Sequence, residues 1–202
     1  TLAIFGLYFL IKSKLSLRAM VACGALGMAV LMFAPSHLTT VRDSQNSTQY
    51  RVEMWAEGLE MMKHNPLFGI GRGNFKAYTS KLIAHNSFVE IGGETGIVGL
   101  FIYTALVYFA LKSCLHARAN FPDPHNKDFA LAAALSLIGY VVSAMFVTLE
   151  YETLYLLLAM CAALGRCVPQ PLEINRRDFK IVGITVFSFL VLMQIFVIFY
   201  LG

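Results

Sequence analysis

Arg51, Arg72, His85, Glu90 and Glu94 stand in one polar block between long apolar runs. Two cations, one imidazole and two carboxylates in such a block suit chemistry on an anionic substrate at a membrane surface. His85 is the sharpest of them. It stands two residues before Ser87-Phe88-Val89-Glu90, a capping-box pattern that predicts a helix starting at Asn86 or Ser87. An imidazole held just before a helix N-terminus is placed to act as a general base; a hydrogen-bonded structural histidine would look the same in sequence. Glu90 and Glu94 suit capping and solvation, or orientation of the histidine or of a sugar hydroxyl. A metal site would need His85 and Glu90 with the distant His64 or His37, a poor spacing for a ligand set, so none is expected. There is no G-x-S-x-G nucleophile motif and no carboxylate pair at a spacing that marks glycoside hydrolysis.

Two further elements frame the histidine. Ser47 or Thr48 can cap a helix running to about His64, where Asn65-Pro66 ends it because a residue before proline is pushed out of the α region. Arg51, Trp55, Gly58 or Leu59, and Met62 recur on one face of that helix. Arg51 there suits a phosphate or a carboxylate partner, and Trp55 suits an interfacial anchor. Next comes Gly69-Ile70-Gly71-Arg72-Gly73, a tight turn. Glycine permits positive φ and close backbone approach to a ligand. Exposed N–H groups around Gly71 and Gly73, with Arg72, would suit a pyrophosphate. The same turn could equally just pack the outer loop. It is not a dinucleotide fingerprint, because the spacing is wrong and no strand precedes it.

The elements that must position this block are membrane helices. The 202 residues are 57% hydrophobic and only 14% charged, against about 25% charged in soluble domains. The net charge of +4 is spread out, with no basic run interleaved with aromatics, so no nucleic-acid partner is expected. Cys23, Cys114, Cys161 and Cys167 form no CxxC pair and read as packed or lipid-facing thiols. Spans are predicted over Leu2–Ile11, Leu15–Phe33, Gly96–Leu111, Phe129–Leu149, the short Tyr151–Gly165 and Ile181–Leu201. The chain starts without Met or a basic n-region, and reads as a C-terminal piece that opens part-way through a span.

Basic residues alternate between the loops. Lys12, Lys14 and Arg18, then Lys112, Arg118 and Lys127, then Arg166, Arg176, Arg177 and Lys180 mark one side. The turn Glu150-Tyr151-Glu152 has no basic residue and falls on the other side. By the positive-inside rule the polar block is outside. The expected architecture is therefore an all-α, multi-spanning membrane bundle with a large helical outer, periplasmic loop. Residues 1–33 form spans, 34–95 the loop with the active site, and 96–202 spans with short cytoplasmic loops. Ser36–Ser47 is polar and reads as a surface loop.

The order Arg51-x-x-x-Trp55, Asn65-Pro-Leu-Phe-Gly-x-Gly-x-Gly-Asn-Phe75, His85-Asn-Ser-Phe88 and Glu94-Thr-Gly-x-x-Gly99 resembles the O-antigen ligase and polymerase superfamily. The resemblance implies an inverting, metal-independent glycosyltransferase of the bacterial inner membrane, acting in lipopolysaccharide or other cell-envelope polysaccharide biosynthesis without a cofactor. Its donor would be a glycan on undecaprenyl pyrophosphate, and its acceptor lipid A-core, a polysaccharide or a protein hydroxyl. His85 matches the family's catalytic histidine and Arg51 its pyrophosphate-binding arginine; Arg72 would be a second cation. Trp55, Gly71, Gly73, Asn86, Glu90 and Glu94 would support them. A further arginine belongs to an N-terminal half of the family that is missing here, so this piece alone would be inactive. Four helices follow the large loop, where ligases of the family usually have three, which leaves room for an O-antigen or exopolysaccharide polymerase or a protein O-oligosaccharyltransferase. The competing reading is a polysaccharide transporter or flippase fragment. Such a protein should bury ionisable residues mid-helix, and the predicted spans hold almost none.

Overall fold

A computed structural model describes residues 41–79, 83–148 and 151–201. The chain divides into two units, Thr1–Ser47 and Thr48–Gly202, and the packing described here is that of the second. The two spans expected before Ala34 lie outside the described residues. Every regular element among the described residues is a helix: α1 Val41–His64, α2 Phe75–Tyr78, α3 Ser87–Asn120, α4 Pro124–Ala144, α5 Tyr151–Arg166 and α6 Arg176–Leu201.

Helix α1 ends at His64, as Asn65-Pro66 predicts, but begins at Val41 rather than Ser47 or Thr48. Part of the expected surface loop is thus helical. No Gly or Pro occurs from Val41 to Glu57, so nothing in the chain forces a break before Thr48. Helix α4 is also shifted, from the expected Phe129–Leu149 to Pro124–Ala144. The Asp123 side chain caps it by accepting from the Asn126 N–H at 3.2 Å, and Pro124 sits in the first turn, where its missing N–H costs nothing.

Three helices, α3, α4 and α6, are long and apolar enough to cross a membrane. Helix α5 has 16 residues, a length of about 24 Å against a hydrocarbon core of about 30 Å. It docks on its neighbours through small residues. Cys114 and Ala110 of α3, Ala133, Ala134 and Leu137 of α4, and Leu154 and Cys161 of α5 share one core. A Cβ placed on Gly165 would lie 2.9 Å from the Ser113 Cβ, so the glycine lets α5 approach α3 closely. A second core joins Val52, Leu59, Met61 and Met62 of α1 to Phe75, Val89, Leu100 and, on α6, Val186, Met193 and Val197. The other side of α6 leaves Ile184, Phe187, Leu192, Ile195 and Phe199 exposed, the surface a lipid-facing helix presents.

Polar contacts collect at two opposite ends of α3. At its C-terminal half, Asp178 accepts from Lys112 Nζ at 2.7 Å and Tyr108 Oη at 2.8 Å, tying α3 to the start of α6. At its first turn, Ser87 and Glu90 bond to the turn after α4.

Candidate functional site

His85 has a φ of 51° and is the one non-glycine residue with positive φ among the described residues. That left-handed conformation is uncommon for a residue with a side chain and is retained where the surroundings over-determine it. Both sides of His85 are held. Downstream, the Asn86 side chain caps α3, accepting from the Phe88 N–H at 3.0 Å and the Val89 N–H at 3.2 Å. Upstream, the carbonyl of buried Ala84 accepts from Trp55 Nε1 at 2.8 Å. The helix start is where the capping pattern predicts, but the cap is Asn86 rather than Ser87, and Glu90 does not reach back to it. Its carboxylate accepts from Thr148 Oγ1 at 2.8 Å.

Helix α1 supplies the facing wall. The Tyr50 ring meets the His85 ring edge-on with centroids 6.3 Å apart. Arg51 follows Tyr50 and lies one turn before Trp55, so the turn that carries Arg51 rests against the loop that carries His85. Trp55 thus holds the loop, in addition to packing on Phe196 of α6. The close approach is possible because residue 58 is glycine: a Cβ there would lie 2.4 Å from Val89 Cγ1. Arg51 and His85 are both half-buried. Among the described residues, nothing hydrogen-bonds a ring nitrogen of His85 or pairs with the Arg51 guanidinium.

The glycine turn packs against α3. Gly69, Gly71 and Gly73 all have positive φ, as the sequence pattern predicts. Several of its N–H groups, however, are taken by the protein. Gly69 donates to Asn65 O, Ile70 to Gly93 O at 3.1 Å and Gly71 to Glu94 O at 2.9 Å. Those last two carbonyls are free because Gly96, with φ 67° and ψ −166°, breaks α3. On the other side of the break, Ile97 and Val98 donate to Pro66 O and Leu67 O. The turn therefore completes the backbone bonds that a kinked helix leaves open. Glu94, only 3% exposed, accepts from Arg72 at 3.2 Å and from the Phe75 N–H at 3.1 Å. Arg72, Gly71, Gly73 and Glu94 assemble here, about 10 Å along α3 from its first residue, whereas Trp55 bonds to Ala84 and Asn86 caps α3 on either side of His85, and Arg51 follows the Tyr50 that meets its ring.

The family model described as O-antigen ligase matches residues 1–104. The chain belongs to the O-antigen ligase family. A search of curated proteins finds no match. The family match spans α1, the glycine turn, His85 and the Gly96 break, and stops inside α3. Membership supports a membrane glycosyltransferase-like function, with lipid-linked glycan and acceptor as substrates. Within this O-antigen ligase family member, sequence reasoning missed Tyr50 and Thr148. Tyr50 sits beside Arg51 and was within reach of the helix pattern. Thr148 lies 58 residues from Glu90 and carries no local signal.

Proposed function

We propose that this protein transfers a glycan from undecaprenyl pyrophosphate to an acceptor hydroxyl on the periplasmic face of the bacterial inner membrane. The observation that carries the reading is His85: a strained, half-buried histidine with open ring nitrogens, set against the turn of Arg51. His85 takes the proton of the acceptor hydroxyl as its oxygen attacks the anomeric carbon from the face opposite the pyrophosphate. The new glycosidic bond forms with inversion as the old C–O bond breaks, and its electron pair leaves on the lipid pyrophosphate. Arg51, fixed on α1, offsets the charge that grows there. Pyrophosphate is a good leaving group, so one base, one cation and an oriented acceptor suffice. Arg72 is committed to Glu94 and acts through the fold of the glycine turn.

The periplasmic placement is supported by the two ends of the bundle. The His85 end also holds the turn after α4, while Lys112, Arg118, Lys127, Arg166, Arg176, Arg177 and Lys180 lie towards the opposite end. The acceptor class, lipid A-core, polysaccharide or protein, follows from parts of the site that bind it, and all three share this donor chemistry.

The test is complementation of a deletion strain with the full-length protein as wild type, His85→Ala and Arg51→Ala at matched membrane abundance. Both variants should lose the transferred glycan and accumulate the lipid-linked donor. Undiminished transfer by His85→Ala would remove the general-base role and move the reading to a transport or partner function.

A further inference from the structure

The turn between α4 and α5 reaches back to the helix that His85 leads into. Val147 O accepts from Ser87 Oγ at 3.2 Å, and Thr148 Oγ1 donates to Glu90 Oε2 at 2.8 Å. These two bonds fall on positions 87 and 90, the inner side of the first turn of α3, directly after the Asn86 cap and the left-handed His85. Ser87 is 1% exposed and Glu90 9% exposed, so the α3 side of each part-buried contact is shielded from water. The hydrogen-bond donor that the Glu90 carboxylate meets among the described residues is Thr148. On the opposite side, α1 packs on the same turn of α3 through the Gly58–Val89 contact and holds the loop before it through the Trp55–Ala84 bond. The α3 start is thus clamped between α1, which carries Arg51, and the α4–α5 turn.

We infer that Thr148 is a positioning residue for His85: through Glu90 it fixes the first turn of α3 and so aims the imidazole at the acceptor hydroxyl. This rests on the transferase reading proposed above. Thr148 touches neither reacting group. Its hydroxyl keeps a buried carboxylate, five residues from His85, turned towards the α4–α5 turn and away from the histidine loop. A buried carboxylate that loses its donor must find another or rearrange. Movement of the α3 first turn would carry His85 with it, because His85 immediately precedes the Asn86 cap, whereas Arg51 lies on α1. The effect should therefore fall on turnover and spare donor binding.

The experiment compares wild type, Thr148→Val, Thr148→Ser and His85→Ala in native membranes, measuring initial transfer rates against the concentration of a polyprenyl-pyrophosphate-linked glycan. Thr148→Val should lower kcat by about 10-fold with KM for the donor changed by less than about 2-fold, as displacement of a positioned group costs rate rather than affinity. Thr148→Ser, which retains the hydroxyl, should recover most of the rate. An unchanged kcat in Thr148→Val would overturn the inference. So would a fall that Thr148→Ser fails to rescue, or one that appears equally in abundance, since either marks a purely structural role. Transfer surviving in His85→Ala would instead sink the transferase reading itself, whatever Thr148 does.

Discussion

At Arg51 and His85, side-chain chemistry sets the expected responses. A positioned general base contributes on the order of 100- to 10,000-fold, so His85→Ala should lower transfer by that much while leaving membrane abundance unchanged. Arg51 presents a planar fork to a pyrophosphate, and lysine presents a point charge. Arg51→Lys should therefore retain part of the activity that Arg51→Ala loses, read as the rate of donor consumption in membranes. Trp55→Phe keeps the ring but loses the bond to Ala84 O, about 1 kcal/mol or near fivefold. It should lower transfer by roughly that factor, and an effect as large as that of His85→Ala would contradict the positioning role given to Trp55. These residues were legible because the signals are local: a capping pattern after His85, and a four-residue spacing from Arg51 to Trp55. Thr148 was not, because hydrogen bonding across 58 residues leaves no trace in spacing.

The glycine turn and the start of α3 act as one piece at the scale of elements. The pattern Gly-Ile-Gly-Arg-Gly announces positive φ, and the chain adopts it. What the turn binds was not legible. An anion and an opened helix both call for lined-up N–H groups, and only the Gly96 break shows that Gly93 O and Glu94 O are the acceptors for Ile70 and Gly71. The sequence boundary between loop and span fell at Gly96 on hydropathy alone, and the kink sits there because no side chain fits. A Cβ on Gly96 would lie 2.4 Å from the Leu67 carbonyl carbon and oxygen. Gly96→Ala should therefore destabilise the protein by about 1–3 kcal/mol, since the clash is with backbone and φ is positive. The check is thermal unfolding in detergent, where a midpoint equal to wild type would contradict this account of the break.

At the scale of the molecule, the apolar lengths predict membrane spans, and among the described residues α3, α4 and α6 have the length and composition to span. Exact limits were less legible. The caps that set α4 depend on Asp123 and Pro124, which precede the apolar run. The proposed sidedness rests on the separation of the His85 end from the basic end and is open to labelling. Lys76, exposed on α2, lies on the His85 side of α3, while the exposed Cys167 follows α5 at the basic end. In a Cys23→Ser background, Lys76→Cys should react with a membrane-impermeant maleimide in spheroplasts, and Cys167 only after lysis. The opposite pattern would invert the topology.

The central claim, a transferase with His85 as its base, is tested most directly by separating donor binding from transfer in one variant. Purified full-length wild type and His85→Ala, in lipid nanodiscs, would be given a polyprenyl-pyrophosphate-linked glycan and acceptor, with binding and product both measured. The account predicts that His85→Ala binds the donor as wild type does and forms product at least about 100-fold more slowly. Product formation at the wild-type rate would contradict it.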